Sequence, residues 1–270
     1  MPATAVRPAI HATRFAEQPV VGGLASRCDW VVRNNEYICK HLDSCTGSPS
    51  TIFIKADPGN FVFFYERLLP SLNNSFVLFS GSADNTVPVQ IDKRYPPFSP
   101  REQEALRGIY DSELVERWAV ENLVEPFGDK MVPMPLGFSP GECNHWDPTV
   151  PPCRHMWGII DEAKRAPLAA KPLKMSCRGR LRQDQPQFAL REKVHRMCDR
   201  GGAWNHLVAA PNGKAYGPRT YARLQGMSAF VLCVSGGGID PAPKAFEALA
   251  AGSIPIIQHS SLDSACARPA

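Results

Sequence analysis

The sequence lacks any apolar run approaching the roughly 18 residues of a membrane-spanning helix. Its opening, MPATAVRPAIHATRF, has no apolar core of signal-peptide length. The expectation is a soluble chain with no signal peptide and no transmembrane helix. There is no tract of Lys and Arg either: 30 basic against 26 acidic residues leave a net charge of +4, scattered along the chain. A nucleic-acid partner is therefore not expected, although the weak positive bias would help hold a small anion such as a nucleotide diphosphate. No cysteine pair has metal-ligand spacing, so no structural metal is expected. No Gly-x-Gly-x-x-Gly follows an early strand, which argues against a dinucleotide oxidoreductase. Internal repeats and low-complexity tracts are absent as well.

What is abundant is proline. The chain has 26 among 270 residues, roughly twice the usual share, so long uninterrupted helices are excluded and bundles or coiled coils with them. The apolar fraction of 44% and charged fraction of 21% suit a folded globular chain, and at about 150 residues per domain the length allows two domains. The nine cysteines, Cys28, Cys39, Cys45, Cys143, Cys153, Cys177, Cys198, Cys233 and Cys266, leave two readings open: disulfides formed in a secretory lumen, or reduced, partly buried thiols. Asn73-Asn74-Ser75 is a formal glycosylation acceptor.

Hydrophobic periodicity points to an α/β fold. TIFIKA from Thr51 reads as a strand, FVFFYERLLPSL as a helix and SFVLFSG as a second strand, making a β-α-β unit. REQEALRGIY and SELVERWAVENLV both have helical spacing, and KMVPMPLGF returns to an extended run. The expected organisation is an irregular leader over 1–25, an N-terminal α/β domain over 26–140, a linker rich in Pro and Gly over 141–170 that holds a helical WGIIDEAKRA, and a second α/β domain over 171–270. In that second domain LKMSC and AFVLCVS read as strands, FALREKVHRMC and TYARLQGMS as helices, KAFEALAAG as a helix ending at Gly252, and SIPIIQ as a strand. A mostly parallel sheet follows from the alternation. Because the sequence given stops soon after SIPIIQ, the second domain is expected to be incomplete.

Chemistry concentrates in FVLCVSGGGIDPAPKAFEALAAGSIPII, Phe230 to Ile257. A buried strand leads into Gly236, Gly237 and Gly238, whose uncovered backbone N–H groups can approach a phosphate. Asp240 and two prolines then fix the loop, and the next helix presents its N-terminus to the same place, where the dipole favours an anion. Lys244 and Glu247 are three residues apart in that helix and share a side, the cation suited to phosphate and the carboxylate to ribose hydroxyls. The alternative is a glycine turn with a surface Lys–Glu pair.

This segment resembles the nucleotide-sugar-binding region of GT-B glycosyltransferases, most closely the exostosin-like family. Glu247-Ala248-Leu249, Gly252 and Ile254-Pro255-Ile256 match that family's pattern, with Tyr221 and Ser228-Ala229-Phe230 similar to its lead-in and Arg191 where it carries an Arg. Its Arg before the Glu is Lys244 here, which keeps the charge and loses the planar two-pronged contact. In the first half Trp118 and Asn122 resemble a Trp-x-x-x-Asn helix, and Pro135 and Gly137 a Pro-x-Gly strand. The resemblance implies a GT-B-like α/β fold, two Rossmann-like domains facing across a cleft, and transfer of a sugar from a nucleotide-sugar donor to a hydroxyl of a glycan or glycoprotein acceptor with inversion. It implies work in the Golgi lumen or at its membrane.

The other major transferase fold holds a metal through Asp-x-Asp, a tripeptide this sequence does not contain, so no metal and no cofactor are expected. Neutralising the leaving diphosphate then falls to the glycine loop with Lys244, Arg180 and Arg191, and secondarily to Arg178 and Arg182. Asp84 is the first candidate for the base that takes the acceptor proton, ahead of Asp57 and Glu66. His145, His155 and His259 are further cleft candidates. The competing expectation is a nucleotide- or glycan-binding protein without catalysis.

Overall fold

In the first half the side chains alternate between two apolar layers with a period of two. A computed structural model describes residues 12–14, 24–39, 48–135, 167–177, 188–199, 201–208, 223–235 and 243–260. The described residues up to Met134 form one compact unit and those from Pro135 onward another. The first unit holds strands β1 (Ala12–Arg14), β2 (Trp30–Arg33), β3 (Glu36–Cys39), β4 (Thr51–Lys55), β5 (Phe76–Gly81), β6 (Val87–Pro88), β7 (Val115–Val120), β8 (Leu123–Val124) and β9 (Met131–Pro133). Seven of them make one sheet in the order β1-β3-β2-β4-β5-β7-β9, parallel at every pairing except the β2–β3 hairpin. Ile52 and Ile54 of β4 sit in the larger core with Trp30, Val32, Leu78 and Trp118, while Phe53 turns to a smaller one with Val31 and Ile38. This is a mixed α/β architecture with a mostly parallel central sheet, compatible with the Rossmann-like class.

Helices cover the larger core. α1 (Pro58–Phe63) starts at Asp57 with Pro58 in the first turn, then continues as a π turn over Phe64–Leu68 and a 3₁₀ turn over Leu69–Ser71. α2 (Pro100–Asp111) opens on a capping box, in which the Ser99 hydroxyl accepts from the Glu102 N–H and the Glu102 carboxylate accepts from the Ser99 N–H. Its Ala105, Leu106 and Ile109 are buried. Phe61 and Trp118 pack with ring centroids 5.9 Å apart, and Phe64 meets Phe76 edge-on at 6.0 Å.

Three sequence expectations change here. Val115–Val120, with Trp118 inside it, is a strand and not a helix. Its pairing with β5 steps from Phe76↔Val115 to Val77↔Arg117, so Glu116 is a bulged residue. The bulge leaves Val115 and Trp118 both buried at a spacing of three, which imitates a helical face. Asn122, expected on the same helix, lies in a left-handed turn at φ 57°. Within 1–25, Ala12–Arg14 form a strand, placed by backbone pairing with β3 in a segment without apolar alternation. The β2–β3 hairpin was not expected at all; Asn34 and Asn35, at φ 53° and 58°, supply the two positive-φ residues of its turn.

The second unit has a parallel three-stranded sheet in the order β10 (Met175–Ser176), β11 (Phe230–Cys233), β12 (Ile254–Ile257). α3 (Phe188–Cys198) and α4 (Pro243–Ala250) are helices of this unit, α4 joining β11 to β12, and residues 223–226 of the expected TYARLQGMS helix are helical as well. Ala245 and Ala248 of α4 pack on Val231 and Cys233. Cys177, just past β10, is disulfide-bonded to Cys198 in the last turn of α3, and Cys39 of β3 is also in a disulfide. The expected 157–166 helix lies outside the described residues. No helix among the described residues is long and apolar enough to cross a membrane.

Candidate functional site

Charged side chains from both α3 and α4 reach β11 and its carboxyl exit. A parallel strand that runs into a helix leaves its exit open for ligands, because the connecting loop spans the sheet edge and the helix N-terminus faces it. α4 supplies Lys244 and Glu247; α3 supplies Arg191. Lys244 Nζ donates to the Leu232 carbonyl at 2.7 Å. Burial pushes its pKa down to about 8, with Cys233 and Glu247 acting in the opposite sense and Arg191 in the same one. At neutral pH Lys244 is still an ammonium, but one whose charge the surroundings disfavour, so a bound anion would relieve it. The Cys233 thiol is pushed up to about 11, first by burial, and stays neutral.

Arg191 reaches the same strand end from α3. Its Nε and Nη2 both donate to the Ser235 carbonyl, at 3.0 and 2.7 Å. That carbonyl belongs to the last described residue before the glycine run, so Arg191 fixes the point from which the run departs. Gly236, Gly237, Gly238 and Asp240 lie outside the described residues, as do Arg178, Arg180, Arg182, His145 and His155. His259 is described and exposed.

The far end of α4 closes at Gly252, as its sequence predicts, and is then gripped by a residue the sequence did not flag, Lys171. Gly252 has φ +69°; its N–H donates to the Leu249 carbonyl and the Ser253 N–H to that of Ala248, both at 2.9 Å, a Schellman closure. Buried Lys171 then donates from Nζ to the carbonyls of Ala251 (2.8 Å) and Gly252 (2.9 Å) and to Ser253 Oγ (3.1 Å). A cation on the last carbonyls complements the helix dipole. Lys171 is 80 residues before Ala251, and no local signal connects them.

The candidate bases lie in the first unit, each in an ion pair. Asp84 follows β5 and meets Arg94 Nη1 at 3.0 Å; Arg94 also holds buried Asp92 at 2.6 Å. Asp57 pairs with Lys55 at 2.6 Å. Glu66 receives Arg101 Nε and Nη2, each at 2.7 Å, and that hydrogen-bonded guanidinium holds its carboxyl below the usual carboxylate range. Trp118, matched by resemblance, is wholly buried and donates from Nε1 to Ser80 Oγ at 2.9 Å; Asn122 Nδ2 donates to the Ala83 carbonyl at 3.2 Å. Both brace the β5–β7 region from inside. Among the described residues no three His, Cys, Asp or Glu side chains are grouped to hold a metal ion.

No protein-family model matches the chain, and no curated protein matches it.

Proposed function

We propose that the protein is a glycosyltransferase of GT-B-like type that moves a sugar from a nucleotide-sugar donor to an acceptor hydroxyl on a glycan or glycoprotein, without a metal and with inversion. The observation that carries this reading is the convergence of Lys244, Glu247 and Arg191 on the end of β11, next to three consecutive glycines. In this account Lys244 meets the diphosphate, Glu247 takes ribose hydroxyls, and the glycine N–H groups with the α4 N-terminus complete the anion cradle. Arg191 acts by holding Ser235, and Arg180 is assigned to the diphosphate on sequence alone. The acceptor oxygen attacks the anomeric carbon, the bond to the diphosphate breaks with its electron pair, and the acceptor proton passes to a base, assigned to Asp84. Disulfides at Cys39 and Cys177–Cys198 support work in an oxidising lumen such as the Golgi.

A second reading, nucleotide or glycan binding without turnover, has one observation in its favour: Asp84, Asp57 and Glu66 are all occupied by cations. Release of nucleoside diphosphate from a panel of sugar donors separates the two. Transfer by the wild-type chain that is lost in folded Lys244→Ala and Glu247→Ala proteins supports the transferase. Nucleotide binding with no turnover supports the binding protein.

A further inference from the structure

Asn73-Asn74-Ser75 is the only Asn-x-Ser/Thr tripeptide in the sequence, and nothing in the nucleotide site uses it. The fold gives it a defined setting. Leu72 on one side is 7% exposed and Phe76 on the other is 1% exposed; both are anchored in the larger core. Between them Asn73, Asn74 and Ser75 are exposed, in the short connection from the 3₁₀ turn at Leu69–Ser71 to β5. Backbone pairing resumes only at Phe76, whose N–H donates to the Leu114 carbonyl. The tripeptide is therefore held out from the surface by two buried neighbours, at the N-terminal end of β5. Asp84 lies beyond the opposite end of that strand, which is six residues and so roughly 20 Å long. A bulky group on Asn73 would leave the carboxyl ends of the strands in this unit uncovered.

A second, independent observation bears on the compartment. Cys177 is bonded to Cys198, and Cys39 is also disulfide-bonded. Disulfides persist where the lumen is oxidising, and in secreted chains an exposed Asn-x-Ser tripeptide meets the machinery that glycosylates it.

We propose that Asn73 is a site of N-linked glycosylation. The donor is a lipid-linked oligosaccharide diphosphate: Asn73 Nδ2 bonds to the anomeric carbon, the bond from that carbon to the diphosphate oxygen breaks, the lipid diphosphate leaves with the electron pair, and Nδ2 gives up a proton. This holds whether or not the β11 site binds nucleotide, because the readout is a covalent mass.

The test is peptide mass mapping of the full chain purified from its own source, before and after an amidase that removes N-glycans and leaves Asp at the attachment point. The expected result is a glycan on the peptide containing Asn73, Asp at position 73 after the amidase, and loss of one glycan from Asn73→Gln and Ser75→Ala proteins made in the same cells. Both substitutions are at exposed positions, so the variants keep the fold and their Cys177–Cys198 bond. A bare Asn73 overturns the proposal, whether the cysteines are found bonded or reduced.

Discussion

Arg191 and Ser235 are 44 residues apart and are joined by two hydrogen bonds to a single oxygen, from Nε at 3.0 Å and from Nη2 at 2.7 Å. The guanidinium thereby ties α3 to the strand end from which the glycine run leaves. Removing it with Arg191→Ala leaves that part-buried carbonyl short of its donors, a loss of about 1–3 kcal/mol. The expected outcome is a lower urea midpoint with the slope preserved, and weaker nucleotide binding. Arg191→Lys keeps the charge but lacks the planar fork, so it should recover only part of the loss. An unaltered midpoint in Arg191→Ala would count against the tie.

Lys244 sets the pH behaviour. In the folded chain its pKa is about 8, against 10.5 for an ordinary lysine. Between those values the unfolded chain holds more protons than the folded one, so stability from this group rises with pH across that window. Below about pH 8 both states are protonated and the contribution is flat. Diphosphate binding has the opposite trend because it needs the ammonium. Affinity should fall roughly tenfold or more as pH climbs from about 7 to above 9, since a charge-assisted hydrogen bond is worth about 1.5–3 kcal/mol. Calorimetric titration of the wild type and Lys244→Met across that range checks it; an equal pH slope in both would contradict the assignment.

Gly252 closes α4 at φ +69°, and a Cβ built there would have its nearest neighbour, Lys171 Nζ, at 3.6 Å. That is ordinary contact, so the penalty for Gly252→Ala comes from the left-handed backbone and should be about 1–2 kcal/mol. Asn tolerates this conformation better, and Gly252→Asn should lose less. Urea unfolding of the three proteins orders them glycine, asparagine, alanine.

Trp118 and Ser80 are both wholly buried and share one hydrogen bond of 2.9 Å. Trp118→Phe strands the serine hydroxyl and Ser80→Ala strands the indole N–H, each at about 1–3 kcal/mol. The double variant strands neither group, so its loss should fall short of the sum of the single losses by roughly 1 kcal/mol. Strict additivity in a double-mutant cycle would contradict the bond.

The first β-α-β unit was legible because its signals are local. Ile52 and Ile54 alternate with Phe53, and apolar residues recur at helical spacing from Phe61, although the helix itself starts three residues earlier, at Pro58 behind Asp57. The end of α4 was legible for the same reason, through Gly252. Val115–Val120 was misread because one bulged residue, Glu116, shifted the buried positions onto helical spacing. Asn34 and Asn35 carried a turn signal that went unread, since neither is glycine. Within the candidate site, Lys244 and Glu247 were readable from their spacing in one helix. The grip of Arg191 on Ser235 and that of Lys171 on the end of α4 were not, because each joins residues far apart in the chain through backbone carbonyls, which leave no mark on side-chain pattern.

The central claim is that the end of β11 binds a nucleoside diphosphate through Lys244 and Glu247. Thermal unfolding with and without UDP and GDP, on the wild type, Lys244→Ala and Glu247→Ala, tests it most directly. A ligand at a hundredfold excess over its Kd adds about 2.7 kcal/mol, and a chain of this size shifts by about 2–4 °C per kcal/mol. The account predicts a rise in Tm with one of the two nucleotides and no rise in either folded variant. Equal shifts in all three proteins, or none in a cooperatively unfolding wild type, would contradict it.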